Sequence, residues 1–132
     1  MASQLKVDSI TGVTTAGSIS VTGEGNSTTT NLQQGLAKAW CPLVYSSGTP
    51  TAADSLNVAS FTDTQTGDAY INYTSSTAST NCSCAGSNIS TSSDLGITNK
   101  ADTTARARTI TRNSSNSLVD SDRNFQLHGD LA

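Results

Sequence analysis

The sequence predicts an all-β chain: an extended N-terminal arm followed by a small β-sandwich or barrel-like domain that forms a trimer. Three observations lead there. Ser and Thr supply 42 of the 132 residues, and Thr favours strands while Ser, Gly and Asn favour turns. Several short stretches alternate apolar and polar side chains with a period of two, between clusters of turn residues. Leu, Ile, Val and Phe together number only 23, below the share with which a chain usually fills a core alone. Neighbouring copies are therefore expected to complete that core.

Residues 1–34 read as the arm. Leu5, Val7 and Ser9 point one way, and Ile19 and Val21 repeat the pattern. Turn and linker residues stand between and after them, at 11–17 and 23–27. Residues 32–40 hold the one helical pattern, with Leu32, Leu36 and Ala39 at i, i+4 and i+7. Gly35 weakens that helix, and Pro42 would end it by Trp40 or Cys41. The alternatives are a single turn, or a strand carrying Ala37 and Ala39 on one face.

The domain, residues 35–132, reads as β from Leu56 onward. Leu56, Val58 and Ser60 alternate with Asn57, Ala59 and Phe61, and Thr62 to Asp68 is expected to be a polar loop. Ala69 to Thr74 is the strongest strand pattern, and it closes a hairpin with the preceding strand. Asn81 to Ser90 suggests a strand with Cys82, Cys84 and Gly86 on one face. In Ala105 to Arg112, Arg106, Arg108, Ile110 and Arg112 share one face, and Ala105, Ala107, Thr109 and Thr111 share the other. Leu118-Val119 is brief. Asn124 to Leu131 ends the pattern, with Phe125, Leu127, Gly129 and Leu131 on one side.

Composition also narrows the function. The formal charge of −3 argues against ordinary nucleic-acid binding, which calls for a basic chain. No run of 18 apolar residues is present, so no membrane insertion is expected. Met1 to Asp8 lacks the basic start and apolar core of a secretion signal, so folding in a cytosol is expected. Cys41, Cys82 and Cys84 are then reduced and serve as small apolar residues. No cofactor or metal is expected.

Gly35-Leu36-Ala37-Lys38-Ala39-Trp40, Asp54 to Asp63, and Thr66 to Thr74 resemble a β-rich module of tailed-phage virion appendages, such as tail fibres and spikes. The opening Leu5-Lys6-Val7-Asp8-Ser9-Ile10-Thr11-Gly12 is similar to the start of many such chains, and Gln126 to Asp130 is similar to the module's last strand. Residues 75–123 share almost nothing with it, and Cys41 to Val44 depart from its pattern. The resemblance implies a non-enzymatic structural protein located in the virion, a homotrimer attached to other tail or capsid proteins. Its arm would anchor through Leu5, Val7, Ile10, Ile19 and Val21. Its domain would hold a bacterial surface glycan by multivalent contact. A capsid decoration or head-fibre protein is the alternative. A small glycan-degrading domain is the second, using carboxylates among Asp54, Asp63, Asp68, Asp94, Asp102, Asp120 and Asp122.

The candidate recognition residues are Arg106, Arg108 and Arg112, whose guanidinium groups suit carboxylate and phosphate. The same stripe would equally pair with Asp residues of a neighbouring chain. Weaker candidates have ordinary readings. Asp63, Asp68 and the oxygens of residues 64–66 lack the alternate-acid pattern of a calcium loop. Asp120 and Asp122 flank one residue in a polar loop. His128 would make a three-His ion site only on a three-fold axis. Most of Trp40, Tyr45, Phe61, Tyr70, Tyr73 and Phe125 are expected in the core.

Overall fold

The computed structural model describes residues 4–11, 19–22, 29–91 and 94–129. The linker readings at 11–17, apart from Thr11, and at 23–27, and Leu131, lie outside them. The chain divides into two units, Met1–Gly35 and Leu36–Ala132.

In the first unit, β1 (Ser20–Thr22) pairs antiparallel with β2 (Thr29–Asn31), and a single helical turn, α1 (Leu32–Gly35), follows. The Leu32 N–H donates to the Ile19 carbonyl at 2.9 Å. Leu5, Val7, Ile10 and Val21 are each more than half exposed, whereas Ile19 is half-buried.

The second unit is built from β3 (Ala37–Ser46), β4 (Thr49–Thr51), β5 (Val58–Gln65), β6 (Asp68–Tyr73), β7 (Ser83–Ala85), β8 (Leu95–Thr103), β9 (Arg106–Asn113) and β10 (Arg123–His128). These make two antiparallel sheets, ordered β4-β3-β10-β7 and β5-β6-β9-β8. The arrangement is a sandwich, not a closed barrel, because among the described residues no strand ladder joins the edges of the two sheets. Ala39, Cys41 and Leu43 of β3, with Phe125 and Leu127 of β10, share one buried cluster with Ile71 and Tyr73 of β6 and Ala107 of β9. Tyr45, Val58, Phe61, Cys82 and Cys84 pack around it.

Several expectations change here. The longer helix read over 32–40 gives way to its alternatives, one turn and then a strand from Ala37. Ala39, Cys41 and Leu43 are fully buried at every second position, and burying them against β10 outweighs the local helical spacing. Pro42 is tolerated inside β3. The Trp40 N–H points to the Leu56 carbonyl at 3.1 Å, and β4 joins that side only from Val44 onward. The missing N–H of Pro42 faces the gap between these two partners.

The loop expected from Thr62 to Asp68 shrinks to the two-residue turn Thr66-Gly67, with β5 running to Gln65. Simple alternation places Val58 and Phe61 on opposite faces. A register shift between Val58 and Ser60 lets both pack on the core, since one extra residue reverses the alternation beyond it. The strand expected over 81–90 shortens to Ser83–Ala85.

Candidate functional site

The alternation in β9 creates two unlike faces. Ala107, Thr109 and Thr111 are fully buried, and Arg106, Arg108, Ile110 and Arg112 turn outward. Register sets their neighbours. Asp68, Tyr70 and Asn72 of β6 stand opposite Ile110, Arg108 and Arg106, and Thr98 and Lys100 of β8 stand opposite Ile110 and Arg108. The outer face of the β5-β6-β9-β8 sheet therefore gathers Lys100, Arg106, Arg108 and Arg112 around Tyr70.

Each arginine is held differently. Arg106 Nε donates to Asp102 Oδ2 at 2.8 Å, and its guanidinium lies 3.8 Å above the centre of the Tyr70 ring. That stacking is a cation–π contact, which fixes the plane of the group. Arg108 grips Asp68 with two bonds, Nε to Oδ1 at 2.9 Å and Nη2 to Oδ2. Arg112 Nη1 donates to the Asn116 carbonyl at 2.9 Å on the exposed rim. The carboxylates that hold Arg106 and Arg108 thus belong to this same chain. Lys100, 57 % exposed, stands 3.7 Å from Asp102. Four cations share this face with Asp68 and Asp102, and exposed Asp94 precedes β8 at its end, so among the described residues cations are in excess here on a chain that is negative overall.

Asp68 has almost no exposed surface. The Arg108 hydrogen bond holds its carboxyl below the usual carboxylate range, against the opposing effect of burial. A depressed folded value means that this group stabilises the fold above its unfolded pKa, about 3.9. The contribution is lost as pH falls through the lower folded value. The urea midpoint of the wild-type protein is therefore expected to drop below about pH 4. Asp68→Asn is expected to show a lower midpoint at pH 7 and a flatter acid limb. Equal acid limbs in the two proteins would contradict the role of this pair.

The other polar candidates are used in building the fold. Asp120 Oδ1 accepts the Gly67 N–H at 2.6 Å, and Asp122 Oδ1 accepts the Tyr45 N–H at 2.9 Å. Asp63 is exposed at the end of β5, while Asp68 is committed to Arg108. The described residues contain no group of three His, Cys, Asp or Glu side chains suited to a metal. His128 Nε2 lies 2.7 Å from Gln126 Nε2. Cys41 is buried, and burial pushes its thiol up to about 12.

The aromatic residues do not all join the core. Tyr73 and Phe125 lie within it, and Tyr45 and Phe61 pack against it. Tyr70 sits on the outer arginine-bearing face. Trp40 is also on an outer face, that of the other sheet, opposite Gln126 in the register. The alternation Ala39, Cys41, Leu43 carries the signal for this, because it places even-numbered residues outward once the strand is read through Pro42. No matching family model, curated protein or solved structure was found for this chain.

Proposed function

We propose that this chain is a non-enzymatic subunit of a phage virion appendage, a tail-fibre or spike protein that attaches to anionic glycan on the host surface. The observation that carries the binding part of this reading is the positive outer face around Tyr70. There, a stacked Arg106 and the rim groups Lys100 and Arg112 present charged donors to solvent on a rigid sheet. The resemblance at residues 35–40 and 54–74 supports the virion assignment. The exposed Leu5, Val7, Ile10 and Val21 support an arm that docks on another virion protein. As a homotrimer, the protein would repeat the face three times. Several weak contacts then give strong attachment without a deep pocket.

The test uses the full-length protein with alginate as the polyanion and dextran as the neutral control, alongside the solution mass by light scattering. A trimer is expected. Alginate binding is expected to weaken steeply with salt, since exposed charges are screened over roughly 8 Å at physiological ionic strength. Lys100→Ala with Arg112→Ala is expected to weaken it about tenfold while leaving the fold intact, because both side chains sit on the rim. Binding that ignores both salt and these substitutions would overturn the assignment of this face.

A further inference from the structure

The opposite sheet carries a second feature, independent of the arginine face. Across β3, β10 and β7, Pro42 stands opposite Asn124, and Gln126 lies between Trp40 and Ala85. These residues, with Gly86 and Ser87, line an open groove of about 640 Å³, within the ~300–1,000 Å³ usual for small-molecule clefts. The segment after β7 forms one wall and is held close. Asn124 N donates to the Ser87 carbonyl at 2.8 Å, and Asn124 Nδ2 donates to Ser87 Oγ at 3.4 Å. Gly86 makes this approach possible: a Cβ there would stand 2.3 Å from the Asn124 carbonyl oxygen.

The chemistry of the lining selects the occupant. None of the lining residues is Asp, Glu, Lys or Arg, in contrast to the opposite face. A charged ligand would lose its hydration with no counter-charge in return. The groove instead offers one indole and two amides, those of Asn124 and Gln126, both on exposed residues. Amides both donate and accept, as sugar hydroxyls do. The indole face carries negative π-density that attracts the C–H face of a pyranose ring. We propose that this groove is a saccharide site for neutral pyranose rings, stacked on Trp40 and held through their hydroxyls by Asn124 and Gln126.

Trp40 is the one tryptophan in the chain, so its fluorescence reports occupancy directly. The full-length protein is titrated with maltohexaose, cellohexaose, mannohexaose and chitohexaose, and with alginate as the charged control. A saturable emission change with at least one neutral oligosaccharide, and none with alginate, is expected. Gln126→Ala keeps the reporter and alters an exposed side chain, so it is expected to fold normally and to weaken binding roughly three- to tenfold, as loss of a hydrogen bond does. Trp40→Ala, checked for folding by circular dichroism, is expected to abolish binding in calorimetry. No saturable change with any of the four sugars would overturn the proposal, as would unchanged affinity in Gln126→Ala. A Trp40 emission shift that follows protein concentration instead would show that a second copy covers the groove, and would overturn it too. Alginate binding by the arginine face stands or falls separately.

Discussion

Gly67→Ala is expected to destabilise the domain by roughly 2–5 kcal/mol, combining about 1–2 for a left-handed alanine with about 1–3 for overpacking. Gly67 forms the β5–β6 turn with φ of 71°. A Cβ at this position would stand 2.6 Å from the Val119 nitrogen, 2.7 Å from its carbonyl oxygen and 2.8 Å from the Thr111 carbonyl oxygen. All three are backbone atoms and cannot swing aside. The turn is also fastened on both sides: its N–H donates to Asp120 Oδ1, and its carbonyl accepts the Thr111 N–H at 2.8 Å. Asp68 follows directly, so displacing the turn also loosens the grip of Arg108. Gly48 supplies the comparison. Its φ is 79°, yet the nearest atom to a Cβ there is Asp120 Oδ2 at 3.8 Å. Gly48→Ala is expected to cost only the conformational part, about 1–2 kcal/mol. Urea midpoints of the two variants check this, and equal losses would show that the close approach at Gly67 carries no energy.

Arg123→Ala is expected to cost about 3–5 kcal/mol, and Arg123→Met clearly less. Arg123 is fully buried between the sheets. Its Nη2 donates to the Tyr45 hydroxyl at 3.0 Å and the Thr109 carbonyl at 3.3 Å. Its Nη1 donates to Thr111 Oγ1 and, at 3.5 Å, to the Ser121 carbonyl. No carboxylate among the described residues lies within ion-pair reach of it. Burial lowers its pKa, and Tyr45 works in the opposite direction. The guanidinium is thus a costly group held by neutral acceptors and by the space it fills. Alanine removes both volume and donors. Methionine keeps most of the volume in an adaptable chain, and buried charges replaced by well-packed apolar groups are often tolerated. Thermal midpoints separate the cases, at roughly 4–8 °C per kcal/mol for a domain near this size. An Arg123→Ala protein melting within a few degrees of wild type would refute the account.

The candidate surface was partly legible. The Arg106–Arg112 alternation places its arginines on one face by strand geometry alone, and β9 keeps that alternation throughout. Their partners were hidden. Asp68 lies 40 positions from Arg108 in sequence, and it reads as a loop acid until β6 and β9 are set in register. Arg123 is not singled out by the sequence, because nothing local announces that β10 turns it between the sheets. Trp40 reads as core, since large aromatic residues are usually buried.

By itself, the sequence determined the all-β character, the strands at 69–74 and 105–112, and the split of the arginine strand into a buried Ala/Thr face and an outward charged one. These follow from the two-residue period of extended backbone, which is local. The tertiary structure decided the rest: the open sandwich, the bulge that turns both Val58 and Phe61 inward, the strand through Pro42, the burial of Arg123 and the outward Trp40. Each depends on which strands become neighbours and in what register. A shift of one residue reverses every side chain beyond it, and only the packing of the two sheets selects which side is buried.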